Sequence, residues 1–317
     1  MAEILTFGET MVSMTPCDMG PLRYVDRFQK KIAGAESNVA IGTTRLGHTA
    51  RFVTALGDDS LGKYIYRELL GEGLDLNGVV FDPEHRTGVM FKERLGRYET
   101  KVWYYREDSA ASRLSPSAIT ESLFQGVRLL HVTGVTMALS QSCRETVLHA
   151  VRMAKSLGIP VSFDPNIRLR LWTQEAAAAA ILPILPMVDI FLPGLDECAL
   201  LFGAGEPDQY VQAIRGRGIR VAAIKAGKKG CWVMEGDTLR FLDAYPFFDV
   251  VDTVGAGDAF AAGFLSGVLE GRPMEECGAM ANCMGAMATK TADDYQTLPD
   301  RRELDVLLQK APKPADR

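Results

Sequence analysis

Four short apolar runs, at 129–133, 161–164, 189–192 and 221–225, are separated by stretches with helical spacing at 141–157, 174–185, and 197–202 with 208–217. This alternation constrains the fold more than any other feature. Strands joined through helical segments need crossover connections, and crossovers produce a parallel sheet covered on both faces. The N-terminal part starts the same rhythm. Residues 3–8 and 51–56 read as strands, and 38–46 and 61–70 as helices that stop at Gly47 and at Gly71-Glu72-Gly73. The expected fold class is therefore α/β, a three-layer α/β/α core around a mostly parallel sheet.

Two segments break the rhythm. Runs at 88–93 and 101–106 flank a polar stretch containing Gly96 and read as a hairpin, and the run near Tyr24 fits no helix. Together they imply a small β-flap, or lid, over the mouth of the sheet. The expected organisation is a main domain over 1–15, 33–87 and 107–309, a lid over 16–32 and 88–106, and a frayed polar tail over 310–317.

Composition narrows the function classes. The 317 residues are 47% hydrophobic and 24% charged, as in ordinary globular chains, with a formal net charge of −5. A mildly acidic chain lacks the electrostatic footprint of a non-specific nucleic-acid binder. No apolar run reaches the ~18 residues of a membrane span. The longest candidate, 176–188, is Ala-rich and carries Pro183 and Pro186. No basic region precedes the first apolar stretch, so no signal peptide is expected. The six cysteines are scattered without C-x-x-C spacing, which reads as thiols in a reducing cytoplasm. The four histidines have no zinc-like spacing.

The segment richest in chemistry is 252–263, Asp-Thr-Val-Gly-Ala-Gly-Asp-Ala-Phe-Ala-Ala-Gly. Gly255, Ala256 and Gly257 let backbone N–H groups converge at the start of a small-residue helix, whose dipole favours an anion. Asp258 beside that anion hole reads either as a helix cap or as a general base. A base there would take a proton from a hydroxyl while the hole holds a phosphoryl group.

This stretch resembles the C-terminal signature of the ribokinase-like, PfkB-type carbohydrate kinases. The N-terminal part of the resemblance is Ala33-Gly34-Ala35-Glu36-Ser37-Asn38-Val39-Ala40, followed by Leu46-Gly47, Ala55-Leu56-Gly57-Asp58-Asp59 and Leu61-Gly62. Two distant signatures in the right order span nearly the whole chain. The detail is similar to 2-keto-3-deoxygluconate kinases, on Gly34 to Asn38, Tyr104-Tyr105-Arg106 with Ser109-Ala110, Asp164-Pro165-Asn166-Ile167-Arg168 and Asp293-Asp294. Such a set suits a sugar acid, because Arg grips a carboxylate in a bidentate manner.

The resemblance implies a ribokinase-like fold and transfer of the ATP γ-phosphoryl group to the 6-hydroxyl of 2-keto-3-deoxygluconate, with Asp258 as base and Gly255, Ala256 and Gly257 as the anion hole. Gly34, Ala35, Asn38, Tyr104, Arg106, Arg168, Asp258 and Asp294 would bind the sugar. Asn166, Arg168, Lys225, Gly227, Gly230, Gly255, Gly257 and Asn282 would bind ATP. The resemblance also implies Mg2+, and it leaves open whether a monovalent cation such as K+ binds near Asp252; a homo-oligomer formed through the flap is expected because exposed strand edges pair. Two positions depart from the pattern. Gly194 stands where many relatives carry an Asn three residues before the Glu, so Glu197 is expected to act on a metal only through water. Met90 stands where some 2-keto-3-deoxygluconate kinases have a tyrosine. The rival substrates are fructose, ribose and 5-dehydro-2-deoxygluconate, and the rival class is a non-catalytic nucleotide or sugar sensor. A nicotinamide dehydrogenase is disfavoured because no G-x-G-x-x-G follows the first strand.

Overall fold

The computed structural model describes residues 2–96, 99–246 and 250–310. The elements run β1 (Ile4–Phe7), β2 (Met11–Pro16), β3 (Phe28–Ala33), α1 (Ala35–Arg45), β4 (Ala50–Gly57), α2 (Ser60–Gly71), β5 (Asp75–Asp82), β6 (Val89–Gly96), β7 (Glu99–Tyr105) and β8 (Leu129–Thr133). They continue with α3 (Gly134–Leu139), α4 (Gln141–Ser156), β9 (Val161–Asp164), α5 (Gln174–Ile181), β10 (Ile190–Phe191), α6 (Leu195–Phe202), α7 (Pro207–Arg215), β11 (Val221–Lys225), β12 (Gly230–Glu235), β13 (Thr238–Asp243), α8 (Ala256–Leu269), α9 (Met274–Ala288) and α10 (Arg301–Lys310).

The main sheet has the order β13-β12-β11-β10-β9-β8-β1-β4-β5. It is parallel from β5 to β11 and antiparallel only at the β11-β12 and β12-β13 edge. Each inner strand is buried on both faces, because successive side chains alternate. Ile4 and Phe52 face one core with residues of α1, α8 and α9, while Leu5, Val53 and Phe163 face another with residues of α4, α5 and α7. Phe7, Phe52, Phe163 and Phe191 are fully buried, and each such burial contributes about 1.5–3 kcal/mol. The three-layer α/β/α expectation is thus met. No helix among the described residues is long and apolar enough to cross a membrane.

A second sheet, β3-β2-β6-β7, lies apart from the first. Hairpins β2-β3 and β6-β7 are antiparallel, and β2 pairs with β6 in parallel. Its boundaries differ from those expected: residues 11–15, expected in the main domain, belong with Pro16 to β2, which pairs with β3 throughout its length. Tyr24 lies in a single tight turn, Leu22–Tyr24, between β2 and β3. Strand β1 passes into β2 through Gly8, Glu9 and Thr10 alone, so the second sheet is anchored at the carboxyl end of the central strand. Its two faces differ. Met90, Val102 and Tyr104 look onto the mouth of the main sheet, whereas Trp103 and Tyr105 are exposed on the other side.

Other boundaries shift for local reasons. Helix α5 stops at Ile181 rather than 185, since Pro183 and Pro186 cannot continue it. The strand expected at 189–192 shrinks to Ile190–Phe191. Strand β5 and the β12-β13 hairpin were not expected; β5 and β13 are partly exposed strands at the two edges of the sheet. The expected frayed tail lies, apart from Lys310 at the end of α10, outside the described residues.

Candidate active site

A twisted parallel sheet offers a crevice at the carboxyl ends of its strands where the strand order reverses, here beside β1. A cavity of about 670 Å3 opens there between the main sheet, the second sheet and the start of α8. Gly34, Ala35, Asn38, Tyr104, Arg106, Asn166, Arg168, Lys225, Gly227, Gly255, Gly257, Asp258 and Asp294 all line it. An adjoining cavity of about 320 Å3 shares Lys225, Gly227, Thr253 and Gly257 and adds Gly230, Ala256 and Asn282. Residues spread over more than two hundred positions of sequence therefore form one two-chambered cleft.

The start of α8 has the geometry of an anion hole. Gly255 adopts φ 83° as the residue capping the helix, and a Cβ there would lie 2.5 Å from the carbonyl oxygen of Asp294. Only glycine satisfies both the left-handed backbone and this close approach. The first backbone bond of the regular helix runs from the Ala259 N–H to the Gly255 carbonyl (2.9 Å), so the amides of Gly257 and Asp258 lie in the unpaired first turn. Lys225 is close: a Cβ added at Gly257 would sit 3.8 Å from its ammonium.

Asp258 is the third residue of α8 and does not cap it. Its carboxylate instead accepts hydrogen bonds from Asn38 Nδ2 (2.8 Å) and Asn166 Nδ2 (3.2 Å). Asn38 comes from α1, whose packing against α8 holds the pair together. Helix α1 starts right after Gly34, where a Cβ would meet the Glu9 carbonyl at 2.4 Å. Asn166 sits at φ 39°, a left-handed conformation uncommon outside glycine that marks functional positions. The side-chain oxygens of both asparagines are buried without a hydrogen-bond partner among the described residues. Burial pushes the Asp258 carboxyl up to about 7, against the opposing effects of the Asn38 hydrogen bond and the Arg168 charge. A carboxyl poised near neutrality is suited to proton transfer.

The cations are arranged unequally. Lys225 Nζ lies 2.7 Å from Asp164. Burial alone would depress its ammonium, but Asp164 and Glu197 raise it, so it stays charged. Arg106 is already paired with Glu9, which also accepts from Ser109 Oγ (2.5 Å), and it lies over the Tyr104 ring at 5.4 Å. Arg106 Nε is buried without a partner among the described residues. Arg168 is exposed. Arg170 reaches from the same loop to the Val102 carbonyl on β7, joining the second sheet to the main one.

Glu197 caps its own helix: its carboxylate accepts from Ile167 N (2.7 Å) and Gly194 N (2.7 Å), and burial pushes its carboxyl up. With Gly194 three residues earlier, the segment has no amide side chain to add. Among the described residues no three His, Cys, Asp or Glu side chains form a cage for a metal. These residues offer magnesium no complete set of protein ligands, so an ion here would need water and other oxygens to fill its shell.

Several of these residues escaped the sequence reading. Glu9 follows the first strand and was passed over as its end. Lys92, fully buried on β6, donates to the Ala292 carbonyl (2.5 Å) and to Asp294 Oδ1 (2.8 Å), and sits 3.5 Å from Asp252 Oδ2. Its signal was available, because it alternates with Met90 on the inward side of a strand. Tyr245, Val250, Phe260 and Ala286 make the smaller chamber largely apolar, and no local motif announces them. Asn282 faces that chamber too, but its amide already donates to the Asp243 carbonyl (3.0 Å).

The sequence and the fold are similar to those of known proteins. Residues 1–301 match the model of the pfkB family carbohydrate kinases. The chain is 36% identical to a 2-dehydro-3-deoxygluconokinase of Bacillus subtilis (strain 168), over 95% of this chain and 94% of that one. It is 32% identical to fructokinase-1 of Zea mays, over 97% and 98%. The crystal structure of a PfkB protein from Polaromonas sp. JS666 superimposes with a TM-score of 0.88 at 34% identity, covering 96% of this chain and 99% of that one.

Proposed function

The chain belongs to the pfkB family of carbohydrate kinases, which transfer phosphate to a sugar hydroxyl, and from that premise we propose that it phosphorylates the 6-hydroxyl of 2-keto-3-deoxygluconate with ATP. One observation carries the reading. The Asp258 carboxylate, held by Asn38 and Asn166, lies in the first turn of a helix whose free amides face the junction of two chambers. The larger chamber suits the sugar acid, and the smaller, apolar one suits a purine.

In this reading the sugar acid lies between Gly34, Ala35, Asn38 and Asp294 below and Tyr104 above. Arg168 grips its carboxylate, while Arg106, neutralised by Glu9, orients it through the unpartnered Nε. The triphosphate runs past Lys225 and Gly227 to the amides at Gly257 and Asp258, with Gly230 and Asn282 beside the base. Asp258 takes the proton of the 6-hydroxyl as that oxygen bonds to the γ-phosphorus. The bond to the bridging oxygen breaks, and its electron pair leaves on ADP. Magnesium, when bound, neutralises charge on the β- and γ-phosphates. Water is the competing acceptor, so closure of the second sheet protects the transfer.

The test is a coupled ADP-release assay with 2-keto-3-deoxygluconate, followed by NMR location of the phosphate. Stoichiometric product phosphorylated at position 6 supports the reading. Absence of turnover with this acid, or phosphate at another position, refutes it. A second reading, fructose as acceptor, is favoured by one observation: Glu9 already pairs with Arg106, so the site offers an acid less net positive charge than its arginines suggest. A second copy of the chain pairing through the second sheet completes the proposal, on the strength of its exposed Tyr24, Trp103 and Tyr105.

A further inference from the structure

Lys92 is a buried charged side chain that the kinase chemistry above leaves unused. It is fully buried, which is rare for a lysine without a purpose. It stands on the inner face of β6, yet its ammonium reaches the loop 292–294 and the segment before α8, elements of the main unit. Its oxygen neighbours are one carbonyl, of Ala292, and two carboxylates, of Asp294 and Asp252. Burial alone would depress this ammonium, but Asp294 and Asp252 raise it, so the charge is kept.

Those two carboxylates flank the anion hole. Asp252 lies three residues before Gly255, and the Asp294 carbonyl is the atom against which Gly255 packs. Left uncompensated, two buried negative charges would oppose an incoming phosphoryl group. A carbonyl and carboxylate set of this kind is what a monovalent cation binds, and whether one binds near Asp252 is the question that the family resemblance leaves open. Here an ammonium already takes the Ala292 carbonyl at 2.5 Å, and a second cation among the same oxygens would meet it at close range. The residues present therefore do not fit a bound alkali ion.

We propose that Lys92 is a built-in cation: its ammonium stands where a monovalent ion would, offsets one of the two negative charges of Asp252 and Asp294, and positions the loop that backs the anion hole. It is a positioning residue, acting through Asp294 and Gly255 rather than on the reactants. Phosphoryl transfer by this chain then does not depend on added potassium. The inference rests on the sugar-kinase reading but not on which sugar is the acceptor, since cation dependence is read as a ratio of rates with any acceptor that turns over.

The test compares kcat at equal ionic strength in potassium, sodium and tetramethylammonium chloride, at about 0.1 M each. For the parent, rates within about twofold in all three salts are expected, because the preorganised charge is covalently attached. Activation by potassium of about fivefold or more overturns the proposal. Lys92→Ala is expected to lower kcat about 10- to 100-fold in tetramethylammonium, with a smaller change in KM for ATP, and to regain about tenfold with potassium or ethylammonium. Lys92→Met, which fills the space without charge, is expected to lose the rate and regain none. An Ala variant with the parent rate in tetramethylammonium, or one whose lost rate no cation restores while its circular dichroism stays native, overturns the assignment. If neither variant folds, the parent's response to potassium alone decides the matter.

Discussion

Replacing Asp258 by Asn separates chemistry from packing. Asn is nearly isosteric, and the structure shows that it need lose no hydrogen bond. Its carbonyl oxygen can accept from Asn38 Nδ2, and once the Asn166 amide turns over, its new amide can donate to Asn166 Oδ1, which in the parent is buried without a partner among the described residues. What disappears is a carboxylate able to take a proton, and loss of a general base costs about 10²–10⁴-fold in turnover. Stability should move in the opposite direction. Burial lifts the carboxyl from 3.8 to about 7, so between those values the folded chain holds a proton that the unfolded chain has released. The parent therefore loses stability as pH rises through this window and stays at the lower level above it. At about 1.4 kcal/mol per pH unit the ceiling on this penalty is about 4 kcal/mol. Asn carries no such penalty, so the variant should be the more stable protein at pH 8, with the difference shrinking towards pH 5. Coupled ADP-release assays and thermal melts at both pH values test the pair of expectations. Turnover within a few-fold of the parent would move the base elsewhere. A melting difference that does not change with pH would refute the buried-carboxylate argument.

Other expectations follow from single contacts. The parent's kcat/KM should fall about tenfold per pH unit once pH drops below the Asp258 value of about 7, as the base protonates, and a profile flat to pH 5 would exclude it. Arg168→Ala should raise KM for the sugar acid about tenfold, the low end of a charge-assisted pair because Arg168 is exposed, and leave a neutral sugar little changed. Equal losses for both substrates would remove its role as carboxylate clamp. Gly255→Ala should unfold the α8 start or abolish turnover, since its Cβ would meet the Asp294 carbonyl at 2.5 Å with φ at 83°. An active variant in a kinetic assay would show that this approach is not needed. Amide exchange in β6 and β7 should slow on saturation with the sugar acid; unchanged exchange would make the second sheet a fixed wall.

The layout was readable wherever burial on both faces wrote itself into the residues. Strands β8, β9 and β11 were visible as apolar runs, and glycines after α1 and α2 stopped those helices where expected. Edge elements were not readable: β5 and β13 expose alternate residues and look like loops. The reactive core was legible because Asp258 and Gly255 sit in one contiguous motif. Its supports were less so, being tertiary. Nothing local to Arg106 says that Glu9 neutralises it, and nothing local to Lys92 says that its ammonium ends 200 residues away at Ala292. Long-range ion pairs are properties of the fold, and a single sequence shows only their halves. Asn166 is intermediate. Its place after β9 was evident, but not its left-handed backbone or its hydrogen bond to Asp258.

On the proposed reading this kinase acts on a sugar acid through a base at Asp258 and a carboxylate clamp at Arg168. The ratio of kcat/KM for 2-keto-3-deoxygluconate to that for fructose, taken with the same ATP and magnesium, separates an acid acceptor from a neutral one. A charge-assisted contact at an exposed arginine predicts a ratio of about ten or more in favour of the acid. A ratio near or below one would remove the carboxylate clamp and favour a neutral sugar as acceptor.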